Sequence, residues 1–133
     1  MLLAAVRAEK IKREAEAERR RISENAEAIR ARCITLAGFA REAWHVLEPN
    51  ANLVWNWHLD AICDHLEAVT RGEINRLLIN VPPGSSKSLL CSVLWNAWEW
   101  GPMGMRSMRY LTTSFNDGPV KRDTRKCRDL MLS

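Results

Sequence analysis

The four cysteines of the chain, Cys33, Cys63, Cys91 and Cys127, form no Cys-x-x-Cys pair, and no histidine stands at zinc-ligand spacing from any of them. That excludes the usual structural zinc patterns and predicts free thiols in a reducing compartment. No apolar run is long enough to cross a bilayer. The N-terminus is charged from Arg7 onward and lacks the apolar stretch of a secretory signal. A soluble, cytoplasmic protein is expected, with no membrane among its partners. Internal repeats and low-complexity tracts are missing as well.

What is present is 133 residues, the length of one ordinary domain. Hydrophobic residues make up 47%, enough to build a core. The formal net charge is +4, a mild basic excess that suits work near an acidic polymer without identifying one.

The first third reads as helix over residues 4–47. Ala4, Ala8, Ile11, Ala15, Ile22, Ala26, Ile29, Cys33, Leu36 and Ala40 recur at steps of three and four and mark one face. The stripe is rich in alanine and therefore weak, and the other faces are dense in Glu, Lys and Arg. Glu9 precedes Arg13 by four residues and Glu16 precedes Arg20 by four, the supportive orientation. Such a helix is either a solvated face with a loose seam or a docking arm for a partner. Gly38 is a possible interruption and Pro49 the expected end. Residues 1–48 thus form a charged helical arm, and 49–133 read as a second domain.

Asn56 stands as an N-cap for the next helix. Leu59, Ile62, Cys63, Leu66 and Val69 lie on one face of it, and Gly72 closes it. The period then changes. Ile74 to Val81 contains the apolar run Leu77-Leu78-Ile79 between breakers, which predicts a buried parallel strand. A loop follows at Pro82-Pro83-Gly84-Ser85-Ser86, and a helix from Lys87 to about Trp100, stopped by Gly101-Pro102. A second strand is predicted at Arg109 to Ser114, a turn at Asn116-Asp117-Gly118-Pro119, and a last helix from Val120 with Val120, Thr124, Cys127 and Met131 inward. Strand, loop, helix, strand, helix is the order of an α/β fold with a parallel sheet.

The chemistry sits in Val81-Pro82-Pro83-Gly84-Ser85-Ser86-Lys87-Ser88. A phosphate-binding loop needs backbone N–H groups turned inward, a helix N-terminus facing the phosphates, and a lysine reaching the β/γ oxygens. A Ser or Thr after that lysine ligates Mg²⁺. Lys87 and Ser88 occupy those places. The Walker A pattern G-x-x-x-x-G-K-[ST] is nevertheless not met, because Val81 and Ser86 stand where its two glycines belong. Only Gly84 can take a left-handed backbone at little cost. From these residues alone, phosphate binding and an ordinary strand-to-helix turn stay equally open.

The stretch from Leu53 to Ser133 resembles the opening of the ATPase domain of the large terminase subunits of tailed bacteriophages. The resemblance rests on a conjunction: Trp55-Asn56-Trp57-His58 before a helix, Leu77-Leu78-Ile79-Asn80-Val81-Pro82-Pro83 leading to the Lys-Ser pair, and tryptophans 95, 98 and 100 on the next helix. Leu111-Thr112-Thr113-Ser114-Phe115 follows, and Arg128-Asp129-Leu130-Met131-Leu132-Ser133 ends the chain. It implies a partial P-loop NTPase, a parallel sheet with flanking helices, behind the long charged N-terminal helix. It further implies ATP and Mg²⁺ as cofactors. Lys87 would pair with the β/γ phosphates as the catalytic lysine, and Ser88 would hold Mg²⁺. Pro83, Gly84, Ser85 and Ser86 would wrap the phosphate chain, and Trp57 and His58 would hold the adenine. The partners implied are double-stranded viral DNA, the portal protein, the small terminase subunit and further copies of the full-length chain, in the cytoplasm of an infected bacterial cell. Many terminases carry an arginine in this loop. None lies between Val81 and Lys87 here, so hydrolysis would draw on one from elsewhere.

No apolar run after Ser88 ends in paired acids, and no nuclease carboxylates follow. A fragment of the motor subunit is therefore expected, with little or no catalysis of its own. Two other readings stay open: another DNA-associated ATPase of the transposition-helper type, and a non-catalytic interaction module in which the Lys-Ser loop is only a turn. Trp95 and Trp98 are expected to pack in the core, and His45 and His65 to lie on the surface. Lys121, Arg122, Arg125, Lys126 and Arg128 make the last helix basic, either a solvated face or, with Ser114 and Phe115, a contact for the DNA backbone.

Overall fold

A computed structural model of the chain describes the backbone of residues 2–133 and the side chains of residues 12–133. Ala4, Ala8, Glu9 and Ile11 of the predicted arm thus have side chains outside the described residues. The chain divides into two compact units, Met1–Ala31 and Arg32–Ser133.

The first unit is carried by α1, Leu2–Arg32. Its described surface is polar, and Ile22 is 60% exposed. Arg20 bonds Glu24 one turn onward at 2.9 Å. No helix among the described residues is long and apolar enough to cross a membrane.

The predicted helix over 4–47 is two helices. The break falls at residues 33–35, ahead of Gly38, because Thr35 takes an extended backbone and its hydroxyl accepts the amide of Gly38 at 3.1 Å. Gly38 has a different task. A Cβ there would lie 1.9 Å from the Arg32 carbonyl oxygen, so only glycine permits this close approach. The second helix, α2 (Leu36–Leu47), buries Leu36, Ala40, Ala43 and Leu47. It therefore packs as part of the second unit, although its apolar pattern continues that of the charged arm in the sequence.

Helix α3 (Trp57–Thr70) follows its pattern closely. Asn56 caps it, Leu59, Ile62, Cys63 and Leu66 are buried, and Gly72 at φ +77° closes it. The amides of Gly72 and Glu73 bond the carbonyls of Val69 and Ala68, each at 2.9 Å, completing a Schellman cap. Glu67 on α3 accepts the Leu36 amide at 2.7 Å and so caps α2 from outside. Arg41 reaches Asp60 at 3.2 Å and lies 4.2 Å over the ring of Trp55, joining the same two helices.

The next helical stretch runs over residues 87–100 in three pieces: α4 (Lys87–Leu89), a π-helical turn (Leu90–Leu94) and α5 (Trp95–Trp100). Leu90, Val93, Leu94, Ala97 and Trp98 enter the core. The indole of Trp98 donates to the Cys33 carbonyl at 3.0 Å, and Trp95 is half-buried against the same cluster, in line with the packing expected of the pair. Glu99 is buried at 1% exposure and accepts the hydroxyls of Thr70 (2.5 Å) and Tyr110.

The last helix, α6, is Asp117–Met131. It begins three residues before the predicted start. Asn116 is its N-cap, accepting the Gly118 amide at 3.1 Å, and Pro119 falls in the first turn, where a missing N–H costs nothing. Its inward face carries Asp123, Cys127 and half-buried Leu130. Thr124 and Met131 point outward instead.

The expected α/β architecture is not found. No strand occurs among the described residues, and every regular element of the unit 32–133 is a helix. The predicted parallel sheet of a P-loop NTPase is corrected accordingly. Both candidate strands are extended but pair with nothing. In residues 74–81, Leu77, Ile79 and Val81 pack against the core while Leu78 is 84% exposed, so the run buries one face rather than two. Residues 109–114 are held by side chains. The Trp100 indole donates to the Met108 carbonyl at 2.9 Å, and Tyr110 bonds Glu99, which fixes the segment to α5 without a ladder. A strand needs a neighbour for its N–H and C=O groups, and neither segment offers one to the other.

Candidate functional site

The Lys-Ser loop lies between the one-faced extended run and α4. Its backbone is turned by two left-handed residues, Gly84 at φ +83° and Ser86 at φ +58°. Ser86 stands where the phosphate-loop pattern has its second glycine, and it takes the backbone that glycine would take. Left-handed Ser86 followed by helical Lys87 is a backbone of the kind that forms anion-holding concavities. The Ser86 carbonyl accepts the Leu90 amide at 3.0 Å, which ties the loop to the helix it opens.

A cleft of about 590 Å³ opens against this loop. One wall is residues 81–89, which include all of Pro83, Gly84, Ser85, Ser86, Lys87 and Ser88. Trp44, Glu48 and Ala51 come from the end of α2 and the turn after it, and Arg122, Asp123 and Lys126 from α6. The Trp44 indole donates to the Ala51 carbonyl at 2.9 Å and braces that turn. The cleft thus brings together three cations and two carboxylates.

Those charges are not equivalent. Lys126 is ion-paired with Glu48 across the α2–α6 contact. Arg122 bonds Asp123 at 2.8 Å, and Asp123 is buried. Lys87 is half-buried and forms no ion pair among the described residues. Its charge is felt by Cys91 one turn on: burial raises that thiol's pKa, and Lys87 opposes the rise.

Trp57 and His58 lie elsewhere. Their rings meet edge to face at 6.3 Å, and Trp57 is 75% exposed. They line a second hollow of about 240 Å³ with residues 77–81, and it shares only Val81 with the cleft at Lys87. His45 and His65 are exposed, as their positions suggest, and His65 Nδ1 lies 2.7 Å from the Ala61 carbonyl oxygen.

Two acidic members of the cleft, Glu48 and Asp123, carry no signal in the sequence that links them to the loop. Arg122 and Lys126 stand four apart on one helix, and that spacing could have placed them on a common face. The basic character of α6 is also largely offset within the chain. Lys121 pairs with Asp117 at 2.9 Å and Arg128 with Asp129 at 2.8 Å, besides the two pairs in the cleft. No group of three or more metal-ligating side chains is found among the described residues.

No family model matches this chain, and no curated protein or solved structure matches it.

Proposed function

We propose that the cleft at residues 81–89 binds the triphosphate tail of ATP together with Mg²⁺. In this reading Lys87 supplies charge to the terminal phosphates, and Ser88 offers its hydroxyl to the metal. The wider setting is the one the sequence resemblance indicates, part of a motor subunit that packages double-stranded viral DNA with a portal protein and a small terminase subunit. The observation that carries the proposal is the unpaired, half-buried Lys87 at the end of a loop turned by left-handed Gly84 and Ser86, facing a cleft that also holds Arg122 and Lys126. A charge-assisted hydrogen bond of this kind contributes roughly 1.5–3 kcal/mol. Lys87→Ala should therefore weaken Mg-ATP binding by roughly tenfold to a hundredfold in calorimetry. If the unmodified chain gives no heat with Mg-ATP, the proposal is wrong.

The rival reading is a non-catalytic interaction module. It is favoured by the helical fold and by apolar side chains on and beside the two unpaired segments: Leu78, Leu111 and, just after the second segment, Phe115 are each at least 84% exposed. Such a module would engage its partner equally well with Lys87→Ala, which separates the two.

A further inference from the structure

Resting on that phosphate reading, we infer that Glu48 is a built-in competitor for the anion, and that ligand entry exchanges the Glu48–Lys126 ion pair for a phosphate–Lys126 contact. Glu48 is the C-cap of α2, Lys126 lies on α6, and both line the same cleft as the Lys87 loop. Their side chains are 37% and 29% exposed, so the pair is wet enough to open. A carboxylate and a phosphate oxygen present the same charged acceptor to an ammonium group, so they draw on the same charge and the same three N–H donors of one lysine. While Glu48 holds it, Lys126 is drawn away from the anion, and apparent affinity falls with the fraction of time the pair stays closed.

Occupancy is thereby linked to the contact between α2 and α6. Asp123 holds Arg122 in a similar way, but from the adjacent position on one helix, so its release moves no second element. Lys87, with no ion pair to give up, is the natural first contact for the incoming anion.

The expected size follows from the strength of half-exposed pairs, whose removal changes an equilibrium by about two- to fivefold. The test is titration of inorganic triphosphate, with and without Mg²⁺, into the full chain and into Glu48→Gln, Lys126→Met and the double variant. Circular dichroism melts of each variant confirm that the fold is retained. Glu48→Gln should tighten binding by about two- to fivefold and Lys126→Met should weaken it. In the Lys126→Met background the gain from Glu48→Gln should shrink, because only the weaker pull of Glu48 on Arg122 is left to remove; an undiminished gain overturns the exchange at Lys126. Equal or weaker binding by Glu48→Gln, when the unmodified chain binds, overturns the exchange and leaves the phosphate reading standing. Absence of heat from both the unmodified chain and Glu48→Gln overturns both.

Discussion

Ser86 holds a left-handed backbone that a residue with a Cβ adopts at a cost of roughly 1–2 kcal/mol. Something must hold it there. The Ser86 carbonyl bonded to the Leu90 amide and the helix opening at Lys87 supply the constraint. Ser86→Gly should remove that strain, partly offset by the added freedom of glycine in the unfolded chain, for a net gain of up to about 1 kcal/mol, read as a shift of the urea midpoint at unchanged slope. A fall in stability would mean the serine side chain has a role of its own in the loop. The position was legible in the sequence as a departure from the glycine pattern. Its backbone was not legible, because a residue type states a preference and the surrounding bonds decide. The pairing of Lys126 with Glu48 was hidden for a related reason: 78 positions separate the two, and nothing local foretells it.

Among the elements, those whose ends are fixed by local chemistry were readable. The cap at Asn56, the four-residue apolar face and the glycine at residue 72 specify α3 without outside help. The two extended segments failed as strands because a short apolar run reports burial and not pairing. Residues 77–81 bury alternate side chains against helices, which satisfies the hydrophobic pattern with no sheet at all. The start of α6 slipped because Asn-Asp-Gly-Pro serves as a turn or as a cap and first turn, and Pro119 is compatible with both. The junction at residues 32–38 offers a test at this scale. Gly38→Ala places a methyl group 1.9 Å from a backbone oxygen, which a side-chain rotation cannot relieve. The substitution should cost about 1–3 kcal/mol by chemical denaturation, and a neutral result would show that the backbone there is free to shift.

For the molecule as a whole, the thiols set the response to alkali. Burial pushes Cys63 up to about 12 and raises Cys33, Cys91 and Cys127 from the ordinary thiol value of 9.0. Burial also raises the phenol of Tyr110, helped by its bond to Glu99. Each folded-state pKa lies above its unfolded value, so the folded chain keeps protons that the unfolded chain releases. The stabilisation is complete below pH 9 and drains away as pH climbs from about 9 towards 12. Melting temperature should hold level to pH 8.5 and then fall. Cys63 should resist a thiol reagent at pH 8 until the chain is unfolded, and prompt labelling would contradict the burial assigned to it.

The wide turn at Leu90–Leu94 has a consequence for how this chain tolerates change in length. A π turn amounts to one extra residue, and it rotates all that follows by about 100° relative to an uninterrupted helix. Trp98 and Glu99 find the Cys33 carbonyl and the hydroxyls of Thr70 and Tyr110 at that phase. Loss of one residue between Leu89 and Trp95 would restore ideal helix geometry and leave both side chains at the phase they now hold, whereas straightening the turn at unchanged length would swing them off their targets. A shortening by one residue at this point is thus a change the rest of the protein can absorb, while an uninterrupted α-helix of the present length is not.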